Sequence, residues 1–93
     1  MTRATWKGTV IAEAPAIQYV DGYPYFPPGA IRWEHLRPNP KTSVCGWKGT
    51  ATYFDVVVGE EVNAGAAWVY ETPKEAAKAI AGHIAFWQGV TVA

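Results

Sequence analysis

SVCGWKGTATYFDVVV, residues 43–58, holds the only cysteine of the chain, a Trp-Lys-Gly triplet and the longest run of β-branched and aromatic residues. Such side chains pack well on a pleated, half-buried surface, so residues 47–58 predict one long strand. Gly59-Glu60-Glu61 reads as a turn, and residues 63–71 return as a second strand containing Ala66, Ala67, Trp68, Val69 and Tyr70. A turn centred on Glu60-Glu61 sets Tyr53 opposite Trp68 and Ala51 opposite Tyr70. Because strand side chains alternate, Trp47, Gly49, Ala51, Tyr53 and Asp55 then share a face with Ala66, Trp68 and Tyr70. Four large rings among glycine and alanine leave space between them. That composition builds an aromatic-walled pocket, and it equally seats a helix. A register change of one residue would send the rings to opposite faces.

Towards the N-terminus, residues 6–12 carry Thr9, Val10 and Ile11 and suit a first strand, interrupted by Pro15. Asp21-Gly22 between Ile17-Gln18-Tyr19-Val20 and Tyr23-Pro24-Tyr25-Phe26 is a strong two-residue hairpin signal. It would place Ile17, Tyr19, Pro24 and Phe26 on one face, and Pro24 calls for an edge strand or pairing through its other side. Pro27-Pro28-Gly29 ends the hairpin. Residues 30–36 fit a short strand or a helical turn, and Pro38-Asn39-Pro40 an extended, exposed link. Towards the C-terminus, Thr72, Pro73 and Glu75 form a capping box, and EAAKAIA predicts a helix ending near Ala81 with Gly82 as its stop. Residues 83–87 and 90–92 close the chain as strands. Trp-Lys-Gly-Thr occurs at 6–9 and again at 47–50 with unlike flanks, as two similar strand starts. The expected fold is α+β and mostly β. It is a small antiparallel sheet with one short C-terminal helix, residues 1–93 forming one domain.

A chain of 93 residues needs large side chains to fill its core, and five Trp, five Tyr and three Phe exceed what a core alone requires. Eight basic residues balance eight acidic ones, which argues against nucleic acid and anionic membrane as partners. A single cysteine precludes an internal disulfide or a multi-cysteine zinc site and fits a reducing compartment. Neither a signal-peptide core nor a membrane-length apolar window occurs, so a soluble cytoplasmic domain is expected.

Tyr25-Phe26-Pro27, Cys45-x-Trp47-Lys48-Gly49-x-Ala51-x-Tyr53, Ala67-Trp68-x-Tyr70-x-x-Pro73 and Ile84-Ala85-Phe86 together resemble the signature of the domain of unknown function 427 family. The likeness covers nearly the whole chain, with Ser43 where the family usually has Thr and Gly46 where it usually has Pro. It implies a β-rich fold similar to the β-tent group that includes methionine sulfoxide reductase B, and no established activity. A nucleotidyltransferase-like label sometimes attached to the family requires paired metal-binding carboxylates. Here the only aspartates, Asp21 and Asp55, form no Asp-x-Asp arrangement.

Catalytic candidates are Cys45, as a nucleophilic or redox thiol, and Lys48, three residues on and able to lower its pKa. The competing reading of Cys45 is a small buried hydrophobe, and no second cysteine is present to resolve a sulfenic acid. His35 and His83, with Cys45 or Glu34, lack the short spacing of a zinc motif, so no metal and no cofactor is expected. Lys48 would otherwise pair with Glu71 on the surface. Asp55 would orient a ligand or face water. The aromatics carry the stronger signal: a ligand site is expected at Trp47, Lys48, Tyr53, Asp55, Trp68 and Tyr70, for a small molecule or peptide. The alternatives are a small thiol- or lysine-dependent enzyme centred on Cys45 and Lys48, and a partner-binding or self-associating domain, a homodimer in its simplest form.

Overall fold

The β-branched run does form the long strand around which the rest is laid. The computed structural model describes residues 1–93 and contains nine strands: β1 Thr2–Trp6, β2 Thr9–Ala14, β3 Gln18–Val20, β4 Tyr23–Phe26, β5 Leu36–Cys45, β6 Gly49–Val58, β7 Glu61–Val69, β8 Ile84–Phe86 and β9 Thr91–Val92. They make a three-stranded sheet, β2-β1-β9, and a six-stranded sheet, β3-β4-β8-β7-β6-β5, antiparallel throughout.

Period-two alternation divides the large sheet into two buried faces. Phe26, Val56, Ala67, Val69, Ile84 and Phe86 point one way and meet Ala4, Ile11, Ala12 and Ala14 of the small sheet. The alanines let the two sheets approach, and each fully buried large aliphatic or aromatic side chain adds about 1.5–3 kcal/mol. Tyr25, Ala51, Tyr53, Trp68, Tyr70 and Ala85 point the other way, where Ala77 and Ile80 of the segment 71–83 cover part of them.

That segment corrects the expected fold class. No α-helix is present; residues 75–80 make two 3-10 turns with a break at Ala77 (φ −118°, ψ 17°), so the fold is mostly β and not α+β. The capping box fails because Lys74 is claimed elsewhere. Its N–H donates to the Lys48 carbonyl at 2.9 Å and its Nζ to the Gly46 carbonyl at 2.8 Å, which keeps Lys74 extended at ψ 158°. Gly82 N–H must also return to the Tyr70 carbonyl (3.0 Å) to align β8 with β7. The few residues left between these fixed points cannot repay helix nucleation.

Other expectations shift in detail. Trp-Lys-Gly-Thr marks two hairpin ends, not two strand starts. Trp6 pairs with Thr9 across Lys7-Gly8, both at positive φ, and thereby defines β1, a strand absent from the sequence reading. The second copy lies in the Gly46-Trp47-Lys48 turn, with Cys45 opposite Gly49. Pro38-Asn39-Pro40 belongs to β5, an edge strand, where the missing N–H groups can face away from the ladder. Pro24 sits inside the sheet, but the β4–β8 ladder starts at Tyr25, so its lost donor breaks no pair. Residues 28–35 form 3-10 turns at Pro28–Ala30 and Trp33–His35, with an isolated Ala12–Ile31 bridge between them.

Tyr53 does lie opposite Trp68, by another route. The turn is Gly59-Glu60, not Glu60-Glu61, so Val58 faces Glu61. A bulge between Phe54 and Val56 then moves the register by two residues. A shift of two leaves every side chain on its original face. Ala66 is the exception: it falls within the bulge and joins the inter-sheet core, away from the rings.

Candidate functional site

On the outer face of the large sheet the alternating residues of four neighbouring strands converge. Tyr23 and Tyr25 come from β4, Ala85 from β8 with Trp87 just beyond it, Trp68 from β7 with Tyr70 just beyond it, and Ala51 and Tyr53 from β6. Ala51 and Ala85 are fully buried within this cluster, and its outer side chains border a cavity of about 170 Å³. It is lined by Tyr23, Lys48, Tyr53, Trp68, Tyr70 and Trp87.

Trp68 is the hub. Its ring meets Tyr23 at 5.0 Å, Trp87 at 5.4 Å and Tyr25 at 6.2 Å, all near-perpendicular, and Tyr53 at 6.3 Å with a tilt of 41°. Edge-to-face contact sets the positive rim of one ring on the negative face of the next. The polar atoms are used as well. Trp68 Nε1 donates to Tyr25 Oη (3.1 Å), Trp87 Nε1 donates to the Gly65 carbonyl (2.8 Å), and Tyr53 Oη bonds Ser43 Oγ (2.8 Å). Tyr53, Trp68 and Trp87 are therefore held in place before any ligand arrives. Burial pushes the phenols of Tyr25 and Tyr70 up, so both stay protonated at neutral pH.

Lys48 is the cation of the site, and only 6% of it is exposed. Gly49 makes this possible. At φ 113°, a conformation that L side chains rarely adopt, it turns the chain into β6, and the 72–74 strap packs on it, with an added Cβ in ordinary contact 3.5 Å from Lys74 N and 3.6 Å from Pro73 Cα. Lys48 Nζ donates to Asp21 Oδ2 at 2.7 Å. Asp21 occupies the positive-φ position (φ 54°) of the β3–β4 turn, a conformation Asp tolerates. The partner is thus Asp21 and not Glu71. Burial works against the Lys48 charge, but the hydrogen bond to Asp21 and the nearby tyrosines outweigh it, and its pKa is raised. The amine is held protonated at neutral pH, which is the wrong state for a lysine nucleophile.

Of the residues expected from sequence, Lys48, Tyr53, Trp68 and Tyr70 line the cavity together. Trp47 lies in the turn, 43% exposed, its ring centroid 5.3 Å from Lys48 Nζ but outside the lining. Asp55 is buried at the β7 bulge, where it accepts from Asn39 Nδ2 (2.7 Å), Gly65 N–H (3.0 Å) and Arg37 (3.1 Å). Its role there is to hold the bulge. Cys45 is half-buried at the margin of the aromatic cluster, more open than a core thiol. The backbone N–H groups of Trp47 and Lys48 lower its pKa. His35 Nδ1 bonds the Val57 carbonyl and His83 Nδ1 the Ala81 carbonyl, and no three His, Cys, Asp or Glu side chains converge.

Tyr23, Trp87, Asp21 and the exposed Lys41, whose Nζ lies 4.6 Å from the Tyr53 ring centroid, were not among the expected site residues. Alternation within Tyr23-Pro24-Tyr25 and Ile84-Ala85-Phe86-Trp87 carries part of the signal. The adjacency of those strands to β7 does not appear in any local pattern.

No curated protein matches the chain. The model of one family, described as a domain of unknown function (DUF427), matches residues 1–92, and the chain belongs to that family.

Proposed function

We propose that the chain is a binding module that takes a small planar ring into the aromatic cavity on the outer face of its large sheet. The observation that carries this reading is a cavity of about 170 Å³ whose walls are five rings and one buried lysine. An apolar cavity of roughly 150 Å³ accommodates one benzene ring, whereas sites for drug-sized ligands run to about 300–1,000 Å³. The size therefore favours a single ring, free or as the side chain of a short peptide. Walls already locked by edge-to-face contacts and hydrogen bonds keep the ordering cost of binding low.

The experiment is a titration with single-ring compounds, followed through the five indole N–H resonances. Ligands in the cavity move the signals of Trp68 and Trp87 and leave Trp6 and Trp33 in place. If no compound moves Trp68 or Trp87, or if Trp33 moves first, the reading is wrong.

A further inference from the structure

Resting on that reading, we propose that the ring carries a carboxylate, and that this carboxylate binds Lys48 in place of Asp21 while Lys41 guards the rim. The alternative that an aromatic cage first suggests is a cationic ligand, since alkylammonium groups seek ring faces. Here the protein's own lysines already sit at those faces. Lys41 Nζ stands 4.6 Å from the Tyr53 centroid and 5.8 Å from that of Trp87, and Lys48 Nζ stands 5.3 Å from Trp47 and 5.5 Å from Tyr70. A ligand cation would meet two ammonium groups.

The local charge points the same way. Lys48 is balanced by Asp21, but Lys41 takes part in no ion pair, so the cavity and its rim carry a net positive charge. A lysine ammonium has three N–H donors. On Lys48 the only acceptor is Asp21 Oδ2, and the other donors are free for a ligand.

The pair is also unequal in burial. The Lys48 side chain is 8% exposed and that of Asp21 is 50% exposed. The ammonium is buried beside the Tyr70 ring, whereas the carboxylate rides on a two-residue turn and can swing into water with little loss. An incoming carboxylate would replace it with like chemistry, and its ring would fill the apolar space. Asp21 thus acts as a built-in competitor that keeps the buried lysine paired while the cavity is empty.

The test compares benzoate, benzamide and benzylammonium, the same ring with three charges, by titration against the intact chain. Benzoate should bind about fivefold tighter than benzamide at low salt, an advantage that shrinks as salt rises, and benzylammonium should bind weakest. Asp21→Asn, which tolerates the positive-φ turn, should tighten benzoate about fivefold and leave benzamide unchanged. Lys41→Gln, at an exposed position, should weaken benzoate alone. Benzamide binding as tightly as benzoate, benzylammonium binding tightest, or Asp21→Asn leaving benzoate unmoved would overturn the carboxylate inference while the cavity still binds rings. Failure of all three compounds, in wild type and variants alike, would remove the ring-binding reading itself.

Discussion

Asp55 shows how one buried side chain sets a register on which a whole face depends. Burial of a carboxylate is costly unless its oxygens are hydrogen-bonded, and here the Asn39 amide, the Gly65 N–H and the Arg37 guanidinium satisfy them. The Asn39 bond, helped by the Gly65 and Arg37 bonds, outweighs burial and holds the Asp55 pKa below the ordinary carboxylate value. A depressed folded-state pKa contributes stability that is complete above the unfolded value of about 3.9 and is lost as pH falls through the lower folded value. Asp55→Asn should therefore cost about 1–3 kcal/mol at neutral pH and flatten the acid limb of a stability–pH curve. An acid limb as steep as that of the wild type would show that Asp55 is not the group that titrates. Trp68 makes a second residue-scale case. At 6% exposure and in contact with four rings, it is a cavity wall and a core residue at once. Trp68→Ala should cost about 3–5 kcal/mol by denaturant titration, and a loss under about 1 kcal/mol would mean loose packing.

At the scale of elements, the segment 71–83 carries the sharpest difference between local signal and outcome. Thr72, Pro73 and Glu75 have the composition of a helix start, but the backbone bond from Lys74 to Lys48 and the bond from Gly82 to Tyr70 fix both ends of the segment as a strap. Since no side chain caps the 3-10 turns, Thr72→Ala should leave the denaturation midpoint within a few tenths of a kcal/mol. A loss near 1 kcal/mol would restore the helix cap. Gly49→Ala, in contrast, forces an L side chain to φ 113° and should cost about 1–3 kcal/mol, whereas Gly46→Ala, at an ordinary φ with open space around it, should be nearly neutral. Equal costs at the two positions would contradict the positive-φ strain at Gly49. Elements held by neighbouring residues, such as the Asp21-Gly22 hairpin and the β6–β7 pair, are legible in the sequence because their turn chemistry and alternation are local. The strap and the β4–β8–β7 pairing are not, because residues distant along the chain impose them.

The whole molecule works as a double-sided sheet. One face is spent on stability against the small sheet, and the other is filled with rings separated by Ala51 and Ala85. Within the 43–70 hairpin, Tyr53, Trp68 and Tyr70 follow from period-two alternation, which survived the bulge because the register moved by an even number, whereas Lys48 reaches the cavity from the 46–48 turn, where alternation would have placed Trp47 instead. The remainder, Tyr23, Trp87, Asp21 and Lys41, required the strand order. Membrane crossing by a helix has no structural basis here, since no helix is long and apolar enough. What distinguishes this molecule from one with two filled cores is the vacant volume beside Trp68. That vacancy is tested most directly by intermolecular nuclear Overhauser effects from benzamide, whose neutrality separates the question of the ring from that of the charge. The predicted result is magnetisation transfer from its ring protons to Trp68, Trp87 and Tyr53. Transfer to the exposed Trp33 or Trp47 alone, or none at a saturating concentration, would contradict it.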